Sequence, residues 1–101
     1  GRYNESAAWS PDGSRIAFVS RIKGRFEIVI HDLGSGGETI ITSGPGNKEN
    51  PRWAPDGRHL VFSSDRTGIY SIYTIRDDGT ELRRLTRGRP AWTPDWSPVR
   101  E

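Results

Sequence analysis

The chain has 101 residues, with 15 Lys and Arg against 13 Asp and Glu, only 32% apolar side chains, and neither Cys nor Met. This length bounds one small domain or part of a larger one, and the thin apolar content makes any core small or shared with something outside the chain. Without Cys there are no disulfides and no thiolate metal sites, although no compartment is fixed; no apolar run spans a bilayer or forms a signal peptide.

In chain order, the first expected strand runs from Glu5 to Trp9 and is closed by Pro11-Asp12-Gly13. In that turn Pro sets one backbone dihedral, Asp accepts a local backbone hydrogen bond, and Gly takes the positive φ. The second strand, Arg15 to Ser20, sets Ile16 and Phe18 against Ala17 and Val19 on its other face. The third, Phe26 to His31, sets Phe26, Ile28 and Ile30 against Val29, and a hairpin at Gly34 to Gly37 leads to the fourth, Glu38 to Thr42.

The pattern then starts again. A shift of 44 places Trp53 on Trp9, Pro55-Asp56-Gly57 on the first turn, Phe62 on Phe18, Tyr70 on Phe26 and Thr86 on Thr42. The second set of strands is Leu60 to Ser64, Ile69 to Ile75 and Glu81 to Thr86, with the hairpin at Asp77-Asp78-Gly79. A third copy begins at Trp96-Ser97-Pro98. No stretch shows a capped helical period, so the chain reads as all-β.

The middle strands are apolar on both faces, whereas a strand with one solvated face alternates. Such sheets need a neighbour on each side, and a four-stranded unit of this period is the blade of a β-propeller. The expected architecture is two four-stranded antiparallel blades, 1–45 and 46–89, with a closing inner strand and tail at 90–101.

Most residues that look functional have a plainer reading. The period places Trp9, Trp53 and Trp96 in packing between inner strands rather than on a stacking platform. Asp12 and Asp56 are accounted for by their turns. Ser43 to Lys48 (SGPGNK) lacks the ending and the helix of a phosphate loop, and Asp77 to Glu81 lacks calcium-loop spacing. His31 and His59 are isolated, which leaves no zinc set, and no Ser pairs with a base in a nucleophile motif. The basic run Arg83 to Arg89 and the smaller group Arg21, Lys23 and Arg25 are interrupted by Glu27, Asp77, Asp78 and Glu81, which argues against nucleic acid. No catalytic residue, metal or cofactor is expected.

The segments WSPDGSRIAFVS and WAPDGRHLVFSS, each followed by a strand and an Ile/Leu-Thr step, resemble the blade motif of the TolB-like propeller family. TSGPGNKENPRWAPDG and LTRGRPAWTPDWSP are similar to that family's way of ending an outer strand and entering the next inner one. The resemblance implies a fragment of a six-bladed propeller, namely its last two blades and closing strand. It further implies a non-catalytic, periplasmic, protein-binding role in the Tol-Pal system, with the lipoprotein Pal received on the rim of the propeller. Carried onto this chain, the rim comprises Tyr3, Asn4, Glu5, Asn47, Lys48, Glu49 and Asn50. Gating or scaffold propellers of prolyl-oligopeptidase and dipeptidyl-peptidase relatives carry similar blades and supply the alternative role. Because two blades cannot close a ring, three copies forming a six-bladed homotrimer are also expected.

Overall fold

The computed structural model describes residues 7–85. Eight strands form two four-stranded antiparallel sheets, each a simple meander. The first sheet holds β1 (Ala8–Trp9), β2 (Arg15–Ile22), β3 (Arg25–Asp32) and β4 (Glu38–Ile40). The second holds β5 (Lys48–Trp53), β6 (His59–Ser64), β7 (Ser71–Arg76) and β8 (Arg83–Arg84). Among the described residues there is no helix, and so none long and apolar enough to cross a membrane.

The turns form for the reasons their residues suggest. Asp12 Oδ1 accepts from Ser14 N (3.0 Å), Ser14 Oγ (2.7 Å) and Ser10 Oγ (2.9 Å), while Gly13 sits at φ 76°. Asp56 Oδ1 accepts from Arg58 N (2.8 Å) and His59 N (3.1 Å). These bonds, led by the backbone N–H of Ser14 and of Arg58, hold both carboxyls down at about 2. Between β2 and β3, Lys23 and Gly24 both take positive φ (51° and 84°), the backbone of a tight two-residue hairpin.

Strand bounds depart from the sequence reading at several ends. β2 runs on to Ile22, and β5 begins at Lys48, so Lys48 to Asn50 belong to a strand rather than to a loop. Lys48 pairs with Ser64 and Glu49 with Ser63 before a bulge that ends at Arg52. β7 starts at Ser71 rather than Ile69. β4 closes at Ile40, yet the ladder carries on: Ile41 N donates to Ile28 O (3.0 Å), and Thr42 Oγ1 accepts from Ile28 N (2.9 Å) in place of a backbone carbonyl. Glu5, Thr86 and the expected strand at Trp96 lie outside the described residues.

The core is the seam between the sheets. Ala17, Val19, Ile28 and Ile30 of the first face Leu60, Phe62, Tyr73 and Ile75 of the second in one buried cluster. Phe62 and Tyr73 stack at 5.7 Å with an 18° interplanar angle. Trp53, on β5, completes the cluster; its Nε1 donates to Ala8 O on the other sheet (3.0 Å), and the Arg15 guanidinium lies 4.7 Å from its ring centroid. Trp9, at the same place in the first repeat, is 59% exposed. The expected packing therefore holds for Trp53, which reaches back to β1 of the first sheet, and fails for Trp9, which meets no such preceding strand among the described residues.

Trp53→Ala therefore destabilises far more than Asp56→Ala. The Trp truncation is expected to lose about 3–5 kcal/mol, and loss of the exposed turn bonds no more than ~1.5 kcal/mol. Urea midpoints of the two variants measure the difference, and equal shifts would mean that the seam does not depend on Trp53.

Candidate functional site

The link from Ile41 to Asn47 carries the chain from the first sheet to the second and fixes the upper end of the seam. It includes Gly46 at φ 84°, where an added Cβ would lie 2.5 Å from Arg66 Cα, so the link is pressed onto the β6–β7 hairpin and only Gly fits there. Asn47 N donates to Asp65 Oδ1 (2.8 Å), and Asn47 Oδ1 accepts from Phe26 N (2.9 Å). One residue, through its side chain on one side and its backbone N–H on the other, thus ties the start of β3 to the β6–β7 turn.

Lys48 comes next, and the structure does not place it at the surface. Its side chain is 1% exposed, 3.1 Å from Glu27 Oε1, and donates to Gly44 O at 2.7 Å. Glu27 is itself buried and accepts from Thr42 Oγ1 at 2.6 Å. Burial pushes the Lys48 ammonium below its ordinary value, and the hydrogen bond and charge of Glu27 oppose that shift. The expectation that Lys48 meets a partner at the rim gives way here. Its charge is consumed inside the seam, since an ammonium removed from water needs an acid and acceptors around it.

Glu49 and Asn50 remain half-exposed. Glu49 Oε2 accepts from the Tyr70 hydroxyl (2.9 Å), and Asn50 stands at the bulge with φ 56°, a left-handed conformation that Asn tolerates better than most side chains. Tyr70 thereby joins this polar corner. Sequence reasoning missed it because the repeat aligns it with Phe26 as a packing residue. Tyr3, Asn4 and Glu5 lie outside the described residues.

The lower end of the seam is held by Arg15, whose Nη1 lies 2.8 Å from Asp77 Oδ2 and whose Nη2 donates to Gly57 O (2.6 Å). A groove of about 420 Å3 opens there between the two Pro-Asp-Gly turns, lined by Asp12, Asp56, Asp77, Arg15 and Arg58. Its carboxylates are committed to turns and to Arg15, and no group of three or more His, Cys, Asp or Glu among the described residues could hold a metal ion.

Two four-stranded meanders repeated in tandem, joined through their faces and pinned by an inner-strand Trp, define propeller blades. The TolB beta propeller domain model matches residues 2–101, and the chain belongs to that family. It is 40% identical over 85 residues to the Tol-Pal system protein TolB of Anaeromyxobacter sp. (strain K), covering 84% of this chain and 20% of that protein. It is 36% identical over 99 residues to the uncharacterized peptidase YuxL of Bacillus subtilis, covering 86% of this chain and 15% of that one. The crystal structure of TolB from Acinetobacter baumannii superposes with a TM-score of 0.74 at 29% identity, covering 87% of this chain and 22% of that one. The chain thus spans about a fifth of the TolB proteins it matches.

Removing one member of the buried pair is expected to be costly. Lys48→Met leaves Glu27 buried and unpaired, with a loss of about 3–5 kcal/mol, whereas Lys48→Met combined with Glu27→Leu recovers most of it. Denaturant unfolding of the single and double variants checks this. A double variant no more stable than Lys48→Met would show that the pair is not the coupled unit.

Proposed function

We propose that this chain is a non-catalytic, protein-binding propeller segment of a TolB-like component of the Tol-Pal system, acting in the periplasm on a Pal-like lipoprotein. The match of the TolB propeller model over residues 2–101 carries the reading. The half-exposed corner at Glu49, Asn50 and Tyr70 supports it, because it offers carboxylate, amide and phenol groups on a rigid strand where a partner could read them. In this reading Glu49 and Asn50 contact the partner, Asn47 and Lys48 brace them from within the seam, and Tyr3, Asn4 and Glu5 extend the same rim. The blades are 1–45 and 46–89, and 90–101 supplies the closing strand.

A second reading rests on the likeness to YuxL. The same blades would then gate or scaffold a serine peptidase of the prolyl-oligopeptidase or dipeptidyl-peptidase kind, with the chemistry in another domain. An α/β-hydrolase domain bearing a nucleophile elbow in the same polypeptide would favour this role.

In isolation the exposed Trp9 face would take the blade of another copy, and three copies would complete six blades. Sedimentation equilibrium is then expected to give a species of about 34 kDa, three chains of 11.3 kDa each. A folded monomer at high concentration would exclude the assembly.

For the partner, Glu49→Lys is expected to weaken binding of a Pal-like protein by about tenfold. The pair Arg83→Ser and Arg84→Ser, on the exposed strand β8, is expected to leave it within about twofold. The opposite ranking in a calorimetric titration would move the contact to the blade edge.

A further inference from the structure

The link between the sheets does not close completely on the outer half of the second sheet. A cavity of about 160 Å3 remains, walled by Ile41 from the first sheet and by Phe62, Ile75 and Leu82 from the second, with Lys48 and Arg66 also in its lining. The two cations differ. Lys48 is engaged by Glu27 and Gly44 O. Arg66 forms no ion pair among the described residues, for its neighbour Asp65 is turned to the Asn47 N–H, and its guanidinium lies 5.9 Å from the Tyr73 ring centroid. A positive charge without an acid thus stands in the wall of a small cavity that is apolar on the side of Ile41, Phe62, Ile75 and Leu82 and polar on the side of Thr42, Ser43 and Lys48. Leu82 keeps 41% of its surface exposed beside it.

We propose that this cavity is a binding site for a short branched aliphatic carboxylate, held by a bidentate bond from the Arg66 fork, with its hydrocarbon end among Ile41, Phe62, Ile75 and Leu82. The volume equals about five liquid waters, far below the ~300 Å3 at which drug-sized ligand sites begin. That room admits a chain of roughly four to six carbons. A single charge spread over two oxygens matches one guanidinium edge. A phosphate would bring a second charge toward the Glu27 carboxylate, which stands behind Lys48, and against the apolar side of the cavity. The same chemistry is offered by a free branched-chain acid and by the C-terminal residue of a peptide. Among the described residues, the lining comes from both blades and from the link between them.

The test uses the full 101-residue chain with 4-methylpentanoate, its amide, and acetyl-leucine as probes, followed by NMR shifts of the Ile41, Ile75 and Leu82 methyls. The acid is expected to saturate these shifts with a Kd on the order of 1 mM, as befits so few heavy atoms. The amide is expected to bind at least about tenfold more weakly, as is the acid to Arg66→Gln. Arg66→Lys, which keeps the charge and loses the fork, is expected to fall between. Acetyl-leucine binding more tightly than the acid would assign the site to a peptide C-terminus, and the reverse order would assign it to a free acid. Equal binding of acid and amide by the unaltered protein, undiminished binding by Arg66→Gln, or no saturable shift with any probe would overturn the site.

Discussion

The seam between the two sheets is the constraint on which everything else rests. Neither meander alone encloses a core, since four short strands bury only one face against nothing. Ala17, Val19, Ile28 and Ile30 find their cover in Trp53, Leu60, Phe62, Tyr73 and Ile75 of the second sheet. Apolar contact of this kind has little directional preference, so the polar ties at the two ends set how the sheets align. Glu27 with Lys48 and Thr42 holds the upper end; Arg15 with Asp77, Gly57 O and the Trp53 ring holds the lower. A displaced docking would leave a buried ammonium without its acid, which costs far more than a displaced methyl.

These ties are written only once, although the sequence is written twice. Ser71 occupies the repeat position of Glu27, and its buried hydroxyl has no hydrogen-bond partner among the described residues. Leu33 stands where the second copy has Asp77, and His59 where the first has Arg15. His59 pairs within its own sheet, with Asp56 at 2.8 Å and Glu81 at 3.6 Å. A second seam made through the exposed Trp9 and Leu33 would therefore lack the counterparts of the ion pairs that align the first. The two copies thus differ in chemistry at the positions that tie the seam, and that difference gives the repeat a direction.

The rigidity of the seam also shapes what the molecule can present. Lys48 fixes the start of β5 from inside, and Asn47 bridges to β3, so the bulge after Glu49 begins from an anchored point. Glu49 and Tyr70 then meet across the second sheet with little freedom to rearrange. Preorganised polar groups lose less on binding than mobile ones.

The sequence by itself determined the repeat, the all-β class, the turns and the facing of β2 and β3. Period-2 alternation fixes which side each residue takes, and Pro-Asp-Gly closes a turn with local bonds alone, so neither depends on the rest of the chain. What the sequence left undecided were the fates of charged and aromatic residues whose partners lie far along the chain. Lys48 and Glu49 are adjacent and equally polar on paper, yet one is buried against Glu27, 21 residues away, and the other reaches Tyr70 at the same separation. Trp9 and Trp53 share one motif, yet among the described residues only Trp53 has an inner strand to cover it. Burial of a side chain is a property of what docks against it, and that docking exists only once the two sheets have met.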